Sequence, residues 1–473
     1  MKSLLSFCAL LCLVGIACQA LSPGAPQAIP SGIPATTSTS QAAPGETPIP
    51  QTSLTQIATL DIPTTAPKPT LRPTSTNDRP ATSLSKWDLW LDGPHLRGAN
   101  VYQRHVYPEL DGPTYLGPGP LGPPFTQADF NQLASLGANY INLSHPGLFA
   151  EKPPYELDQA VQDNLDRLLA MAEQADLFAV ISFRTGPGRS EFTFFWGEDG
   201  DWFTKDYYND SVWKDPEAQD AWVEMWRYTA ERYKDNPVVV GYDLMVEPNS
   251  NEVWFDEWDQ EAFYARHGGS SYDWNPLARR ISQAIRQVDE QTPILAGGNS
   301  YSSLDWLPYL QDTGQPRTVY TFHQYEPHAY THQEPGTPGF TYPGHFDTNW
   351  DEVPDDFDRD WLEQYLSTAQ EFSVTHNAPV AANEFGVMRW APSAADYLHD
   401  LMDIFEAIQL NYAIWEWNTT WPEHAADNDA FNYLHGPDPS HHAALENDLV
   451  QILRSFWERN QYRPSNVEFV PAP

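Results

Sequence analysis

Residues 238–250 read VVVGYDLMVEPNS, an apolar run rich in valine that leads to one acid, Glu247, directly before a proline. A short run of this composition, bounded by turn residues, is typical of a strand buried on both faces of a parallel sheet. The chain thus uses a buried strand to present a single carboxylate. What this carboxylate can do depends on where the strand lies in the whole fold.

Seven further runs of the same kind occur along the chain. They lie at 95–102, 138–145, 177–184, 293–299, 319–326, 379–386 and 411–417. Segments with helical spacing of apolar residues separate them, most clearly at 155–175, 215–236, 358–377 and, last, 441–460. Eight strands alternating with eight helices predict an α/β fold, the (β/α)8 TIM barrel. A doubly wound open sheet would also alternate, but no glycine-rich phosphate loop follows the first strand, which favours the barrel.

The composition changes near residue 85 and predicts three segments. Residues 1–18 have one Lys, an apolar run and a small-residue end, the layout of a secretory signal, and GIAC places Cys18 where bacterial lipoproteins are lipidated. A plain signal-peptidase cut near Ala20 is the alternative. Residues 19–85, rich in Pro, Thr, Ser, Ala and Gln, predict a disordered tether, because they cannot offset their chain entropy by burial. Residues 86–473 are the predicted folded domain, secreted or held at a bacterial cell surface.

Charge and cysteine content exclude several classes of function. Lys and Arg number 26 against 64 Asp and Glu, and the net charge of −38 should repel nucleic acid and anionic membranes. Membrane contact is expected only through a lipid on Cys18. All three cysteines precede residue 19, which excludes disulfides and thiol chemistry in the folded domain. We expect a monomer without a metal or an organic cofactor, because the histidines lack the His-Glu-x-x-His spacing of zinc sites.

The active site of a barrel of this kind lies at the C-terminal ends of its strands. Polar or aromatic residues occupy almost all of these predicted ends: His145, Arg184, Glu247, Asn299, His323, Tyr325, Glu384 and Trp415. One acid could simply cap the next helix. Two acids, on the fourth and seventh strands, are suited to work on opposite sides of one bond. Glu247 is expected to be the last in-register residue of its strand.

Four stretches of the chain resemble glycoside hydrolase family 5. They are MVEPN at 245–249, YTFHQYE at 320–326, ANEFG at 382–386 and AIWEWN at 413–418. The resemblance implies that Glu247 is the catalytic acid and base and that Glu384 is the nucleophile. It also implies that His323 and Tyr325 lie near the nucleophile, and that Trp415 forms a platform under the sugar.

Three positions depart from the pattern of the family. Where it usually has an Asn before the acid, an Arg near the end of strand two and a His after strand three, this chain has Val246, Asn142 and Arg184. Valine cannot donate a hydrogen bond to the 2-hydroxyl of the sugar. We expect a divergent member in which Arg184, or else Asn142, supplies the missing contact, with His145 nearby. The alternative is that Arg184 only pairs with a loop acid such as Glu191.

Two long loops over the predicted mouth, 184–213 and 249–274, are rich in aromatic residues. Their candidates for sugar stacking are Trp196, Trp202, Tyr207, Tyr208, Trp254 and Trp258. The alternative is that these rings only pack the loops together.

If the two carboxyl groups lie about 5–5.5 Å apart, Glu384 attacks the anomeric carbon and Glu247 protonates the leaving oxygen, the retaining route.

Three functions remain open from the sequence. The first is a retaining β-glycoside hydrolase, cellulase-like, acting on a β-glucan or a related polysaccharide or oligosaccharide. The second keeps the site but acts on β-mannan, on mannosides or on a glycosylated small molecule. The third is a catalytically weakened surface lipoprotein that binds carbohydrate. In each of these the expected partner is a β-linked carbohydrate.

Overall fold

The computed structural model describes residues 82–112, 116–117, 119–198, 200, 202–335, 339–417 and 429–472. The predictions made for residues 1–18, and for 19–85 up to residue 81, lie outside the described residues. Eight parallel strands close into a barrel, which confirms the predicted (β/α)8 fold. These strands are β1 Arg97–Tyr102, β2 Tyr140–Pro146, β3 Phe178–Thr185, β4 Val239–Asp243, β5 Ile294–Gly297, β6 Thr318–Gln324, β7 Val380–Phe385 and β8 Asn411–Ile414.

Helices follow the strands on the outside of the barrel. The main ones are α1 Gln127–Ser135, α2 Gln159–Gln174, α3 Pro216–Tyr233, α4 Trp274–Arg286, α5 Arg359–His376, α6 Ala394–Ala407 and α7 Asp448–Trp457. Between β5 and β6 the predicted helix is instead a short 3₁₀ helix, Leu304–Tyr309, which contains Pro308. The last helix begins at Asp448 and not at His441, because the side chain of Asn447 caps it by accepting from the amides of Leu449 and Val450.

Shorter elements decorate the barrel. Short helices lie at Pro108–Asp111, Ser250–Phe255, Gln260–His267 and His328–Thr331, and two-stranded antiparallel ribbons pair Arg104–His105 with Leu121–Gly122 and Gly344–Phe346 with Asp355–Phe357. The strand Thr82–Leu84 pairs in parallel with Val467–Phe469. The predicted boundary at residue 85 is therefore too late, because main-chain pairing with the C-terminal strand makes Thr82–Leu84 part of the folded domain.

Side chains alternate between two apolar layers. Along β3, Phe178 and Val180 face the barrel interior, whereas Ala179 and Ile181 pack in the layer beneath the helices. Trp90 joins the interior cluster at the N-terminal end of the strands, and its indole N–H donates to the Val240 carbonyl at 2.9 Å. The barrel is thus closed by side chains at the end opposite to the predicted site.

Above this apolar interior lies a set of buried polar residues that we call the polar layer: Asn100, Asn142, Ser182, Asp243 and Asn383. Asn142 donates to Asn100 Oδ1 at 2.8 Å, and the Ser182 hydroxyl lies 2.6 Å from Asn142 Oδ1. The amide of Asn383 donates to Asp243 Oδ2 at 2.8 Å. Residues from five strands therefore form one hydrogen-bonded network directly beneath the strand ends.

Among the described helices, none is long and apolar enough to cross a membrane.

Candidate active site

Glu247, His323 and Glu384 meet at the C-terminal mouth of the barrel. The Nδ1 atom of His323 lies 2.8 Å from Glu247 Oε1 and 3.7 Å from Glu384 Oε1. One carboxylate oxygen of each glutamate and a ring nitrogen of the histidine all lie within 4.8 Å of one another. The two acids that the sequence singles out are thus held on either side of one imidazole.

The two oxygens of Glu384 have different surroundings. The Tyr325 hydroxyl donates to Oε1 at 2.8 Å, whereas Oε2 is buried and has no hydrogen-bond partner among the described residues. A carboxylate held through one oxygen keeps the lone pairs of the other available. The geometry therefore suits Glu384 Oε2 to attack an electrophilic carbon.

Burial and neighbouring charges shift the pKa values of Glu384 and His323. Burial raises the pKa of Glu384 to about 7, although the positive charges of His323 and Arg184 oppose this rise and Glu247 adds to it. Burial alone would lower the pKa of His323, but the carboxylates of Glu384 and Glu247 outweigh burial and raise it to about 9. At neutral pH the imidazolium therefore stabilises negative charge on Glu384.

The backbone at Glu247 differs from the sequence expectation. β4 ends at Asp243, so Glu247 lies four residues beyond the strand and is not its last in-register residue. Its φ of 54° falls in the left-handed region, which costs a residue other than glycine on the order of 1–3 kcal/mol. The sequence did not indicate this turn, because tertiary contacts impose it.

Arg189 holds this turn in place. Its guanidinium donates to the carbonyls of Val246 and Glu247, each at 2.6 Å, and its side chain is fully buried. The guanidinium carbon also lies 4.8 Å from the centre of the Phe194 ring. Charge-assisted bonds to two successive carbonyls fix the direction of the Glu247 side chain. Sequence reasoning missed Arg189, since it lies in a loop beyond β3 and belongs to none of the matched motifs.

Arg184, the expected substitute for the missing sugar contact, pairs with a loop acid. Its Nε atom lies 3.2 Å from Glu191 Oε1, and the Tyr102 hydroxyl donates to the same oxygen at 2.9 Å. Its guanidinium carbon stacks 3.9 Å from the centre of the Phe194 ring. Arg184 thus makes the ion pair with Glu191 that the alternative expects, and its contact with the sugar stays a prediction. Its charge still acts on Glu384, whose pKa it lowers against the larger effect of burial.

The structure does not bring Asn142 or His145 to the carboxylate pair. Asn142 belongs to the polar layer and bonds to Asn100 and Ser182. His145 is fully buried, with Nδ1 2.8 Å from the Pro146 carbonyl oxygen and Nε2 2.9 Å from the Asn164 amide. Both side chains thus form hydrogen bonds with protein groups.

Aromatic rings border the site. Trp415 is buried apart from 6% of its surface, and its ring centre lies 5.4 Å from that of Tyr102. In the loop after β3, Trp202 packs on Phe192 and Phe203 with ring centres 5.6 and 4.8 Å away. Several loop aromatics therefore do pack the loops, which was the alternative to sugar stacking. Trp415 stays predicted as the platform.

Two groups among the described residues have the spacing to hold a metal ion: the set Glu247, His323 and Glu384, and the set Asp429, His435 and His442. In the first, the hydrogen bond from His323 to Glu247 accounts for the close approach. In the second, Asp429 Oδ2 lies 2.8 Å from Nδ1 of each histidine and 3.0 Å from the guanidinium of Arg389. A fixed positive charge on the same oxygen disfavours a cation.

His442 does not open a helix, contrary to expectation, because it turns toward Asp429.

A barrel with paired glutamates beyond β4 and at the end of β7 defines a class of glycoside hydrolases. The model of the family "Cellulase (glycosyl hydrolase family 5)" matches residues 113–420. The chain therefore belongs to glycosyl hydrolase family 5, as the resemblance of its motifs implies, and it is a glycoside hydrolase.

Relatives and solved structures are distant. Endoglucanase C of Acetivibrio thermocellus is 23% identical over 320 residues, which cover 62% of this chain and 83% of that protein. Cellodextrinase A of Ruminococcus flavefaciens is 22% identical over 263 residues, which cover 55% of this chain and 68% of that protein. The crystal structure of endoglucanase Cel5A from Thermotoga maritima superposes with a TM-score of 0.54 at 18% identity, covering 78% of this chain and 100% of that one. These identities make the chain a divergent member of the family.

Proposed function

We propose that the protein is a retaining β-glycoside hydrolase that cleaves O-glycosidic bonds of a β-glucan or of its oligosaccharides. The observation that carries this proposal is the approach of a Glu247 oxygen to a Glu384 oxygen within 4.8 Å. Retaining enzymes place their carboxyl groups about 5–5.5 Å apart, whereas inverting enzymes need about 6.5–9.5 Å to admit a water. The close approach of the pair in this chain supports the retaining arrangement.

The first step forms a covalent intermediate. Glu384 Oε2 attacks the anomeric carbon while Glu247 donates its proton to the glycosidic oxygen, so that the C–O bond breaks and the alcohol leaves. Tyr325 holds Oε1 of the nucleophile, and His323 supplies positive charge beside both acids. In the second step Glu247 takes a proton from water, whose oxygen attacks the anomeric carbon and displaces Glu384. The enzyme ends in its starting protonation state, and neither step needs a metal or an organic cofactor.

The choice of a β-glucan rests on the relatives. Two of them are named endoglucanase C and cellodextrinase A. The Thermotoga maritima enzyme Cel5A has been solved with cellobiose and also with mannotriose. We therefore keep β-mannan as the second substrate, a choice that the loss of the usual Asn at Val246 also supports, since glucose and mannose differ at the 2-position. Retention of both glutamates opposes a protein that only binds carbohydrate.

The test is to incubate the purified protein with β-1,4-glucan, mixed-linkage β-glucan, mannan, xylan and aryl β-glycosides, and to follow the first product by NMR. We expect turnover of a glucan or a glucoside, with a product that first appears as the β-anomer. An initial α-anomer would overturn the retaining route. Binding of a glycan without any turnover would overturn the enzymatic proposal in favour of a carbohydrate-binding protein.

We also propose that the protein is exported and held at the cell surface by a lipid on Cys18, on the basis of the sequence pattern of residues 1–18. The measurement is the distribution of wild type and Cys18→Ser between membrane and soluble fractions of a bacterial host. We expect the wild type in the membrane fraction and the variant in the soluble fraction. An unchanged distribution would favour ordinary secretion.

A further inference from the structure

Glu416 is a buried acid that the mechanism above does not use. It follows Trp415, two residues beyond the end of β8, and only 7% of its surface is exposed. Its Oε2 atom is fully buried and has no hydrogen-bond partner among the described residues. Folded proteins leave few buried polar groups unpaired, so such a group requires an explanation.

Glu416 lies beside the nucleophile, because the amide of the preceding Trp415 donates to the carbonyl of Phe385 at 2.7 Å. The charges of Arg184 and of the nucleophile Glu384 act on its carboxyl group. Arg184 gives its Nε–H to Glu191, at 3.2 and 3.4 Å from the two carboxylate oxygens, and Glu416 Oε2 receives no hydrogen bond from it. The nearby Tyr433 hydroxyl is also engaged, since it donates to the Val387 carbonyl at 3.0 Å and accepts from the Val387 amide at 3.1 Å. The described neighbours therefore leave the carboxyl group of Glu416 available.

The chemistry of this carboxyl group suits a neutral ligand with hydroxyl groups. Burial raises the pKa of Glu416 to about 8, with the negative charge of Glu384 adding to the effect and Arg184 opposing it. The group is therefore mostly protonated at neutral pH, with one O–H donor and acceptor oxygens. A sugar hydroxyl is both a donor and an acceptor, and can satisfy both halves of a neutral carboxyl group.

We propose that Glu416 is a substrate-binding residue, which hydrogen-bonds a hydroxyl of the sugar ring that Glu384 attacks. The inference rests on the proposed function and deepens it. It assigns to β8 a sugar contact that Val246 cannot make. The sequence placed the glutamate between two tryptophans, but only its burial beside the nucleophile distinguishes it from a structural acid.

The first experiment compares Glu416→Leu, Glu416→Gln and Glu326→Gln in the full-length protein. Leucine removes both hydrogen-bonding functions and should lower kcat/KM on the best substrate by roughly 10- to 100-fold. Glutamine keeps a donor and an acceptor in the same shape, and should stay within about threefold of the wild type. Glu326 is the matched control, because its Oε2 already accepts from the His328 amide at 2.9 Å and needs no ligand. It should retain wild-type kinetics.

The second experiment separates binding from a structural role. Monodeoxy aryl glycosides lacking one ring hydroxyl at a time are assayed with wild type and Glu416→Leu. One deoxy position should cost the wild type much more than it costs Glu416→Leu, because the variant has already lost that contact. Equal losses at every position would overturn the proposal, and so would wild-type kinetics in Glu416→Leu. Rescue by Glu416→Gln with an unchanged melting temperature would exclude simple misfolding.

Failure of the proposed function gives a different result. If the wild-type protein turns over no glycoside at all, the proposed function fails while the role of Glu416 is still measurable by calorimetric titration with cellobiose and mannobiose. Weaker binding to Glu416→Leu than to Glu326→Gln would then support the sugar contact. Equal binding to the two variants, or no binding to the wild type, would overturn it.

Discussion

The two sides of the barrel mouth differ in how closely they follow the family. On the side of β6 and β7, the nucleophile Glu384 lies in a matched motif, and so do His323 and Tyr325, which bond to the catalytic pair. On the side of β2 to β4, Asn142 and Arg184 stand where the family has other residues, and they bond to protein groups. Bond-breaking chemistry needs a few atoms held within fractions of an ångström, whereas a sugar hydroxyl can be bound from several directions. The comparison indicates that the chain keeps the bond-breaking residues of the family on the side of β6 and β7. It has rearranged the polar residues on the side of β2 to β4.

The largest loss of activity is expected from a change on the side of β6 and β7. Glu384→Gln should lower kcat by roughly 10⁴-fold or more with the fold intact, because an amide is a very poor nucleophile at the anomeric carbon. Steady-state kinetics and circular dichroism of the purified variant check this. Substantial residual turnover would move the nucleophile to another acid and remove the contrast between the two sides.

Glu247→Ala should separate substrates by their leaving groups. Activity on unactivated glycosides should fall by roughly 10²- to 10⁴-fold, whereas dinitrophenyl glycosides, which need little protonation, should lose much less in the first step. The measurement is kcat/KM across a series of aryl glycosides. Equal losses across the series would exclude Glu247 as the acid.

Substitution of Arg189 tests whether the side of β2 to β4 supports catalysis by Glu247. Arg189→Met should lower kcat/KM on poor leaving groups by roughly 10- to 100-fold, because two carbonyls next to the acid lose charge-assisted bonds. In a Glu247→Ala background the same change should add little, since Arg189 acts through Glu247. Full additivity of the two changes would make Arg189 a general structural residue, and a melting curve would show the associated loss of stability.

Arg184→Ala should have a smaller effect, about tenfold on kcat. The side chain is held by Glu191, so its influence on Glu384 is electrostatic and acts across the site. Glu191→Gln is the matched variant, because it releases the guanidinium without removing its charge. A normal kcat in Arg184→Ala would show that the β3 side only supports the loop.

The smallest effect is a shift of the pH profile. Because the pKa of Glu384 is about 7 and the attack needs its ionised form, kcat/KM should fall as the pH drops below about 7. His323→Asn removes a positive charge that lowers this pKa, so the acid limb should move to higher pH. The measurement is kcat/KM from pH 4 to 9. A limb that moves to lower pH would contradict the assigned direction of this interaction.

The sequence by itself determined the barrel and its catalytic candidates. Seven of the eight strands lie within three residues of their predicted bounds, because alternating apolar runs and helical spacing are local patterns. β4 is the exception at its C-terminal end, where the structure ends the strand at Asp243. The motif glutamates could be named from sequence since each adjoins a recognisable strand.

Tertiary structure alone decided the rest of the site. Asn142 and Asn383 are far apart in sequence and lie in one network only because the barrel closes. Likewise, the left-handed turn at Glu247, the bonds of Arg189 and the unpaired carboxyl of Glu416 depend on neighbours from other strands and loops. Local propensity is set by residues a few positions apart, whereas partners for buried polar groups are chosen by the packing of the whole barrel, and no short stretch of sequence contains that information.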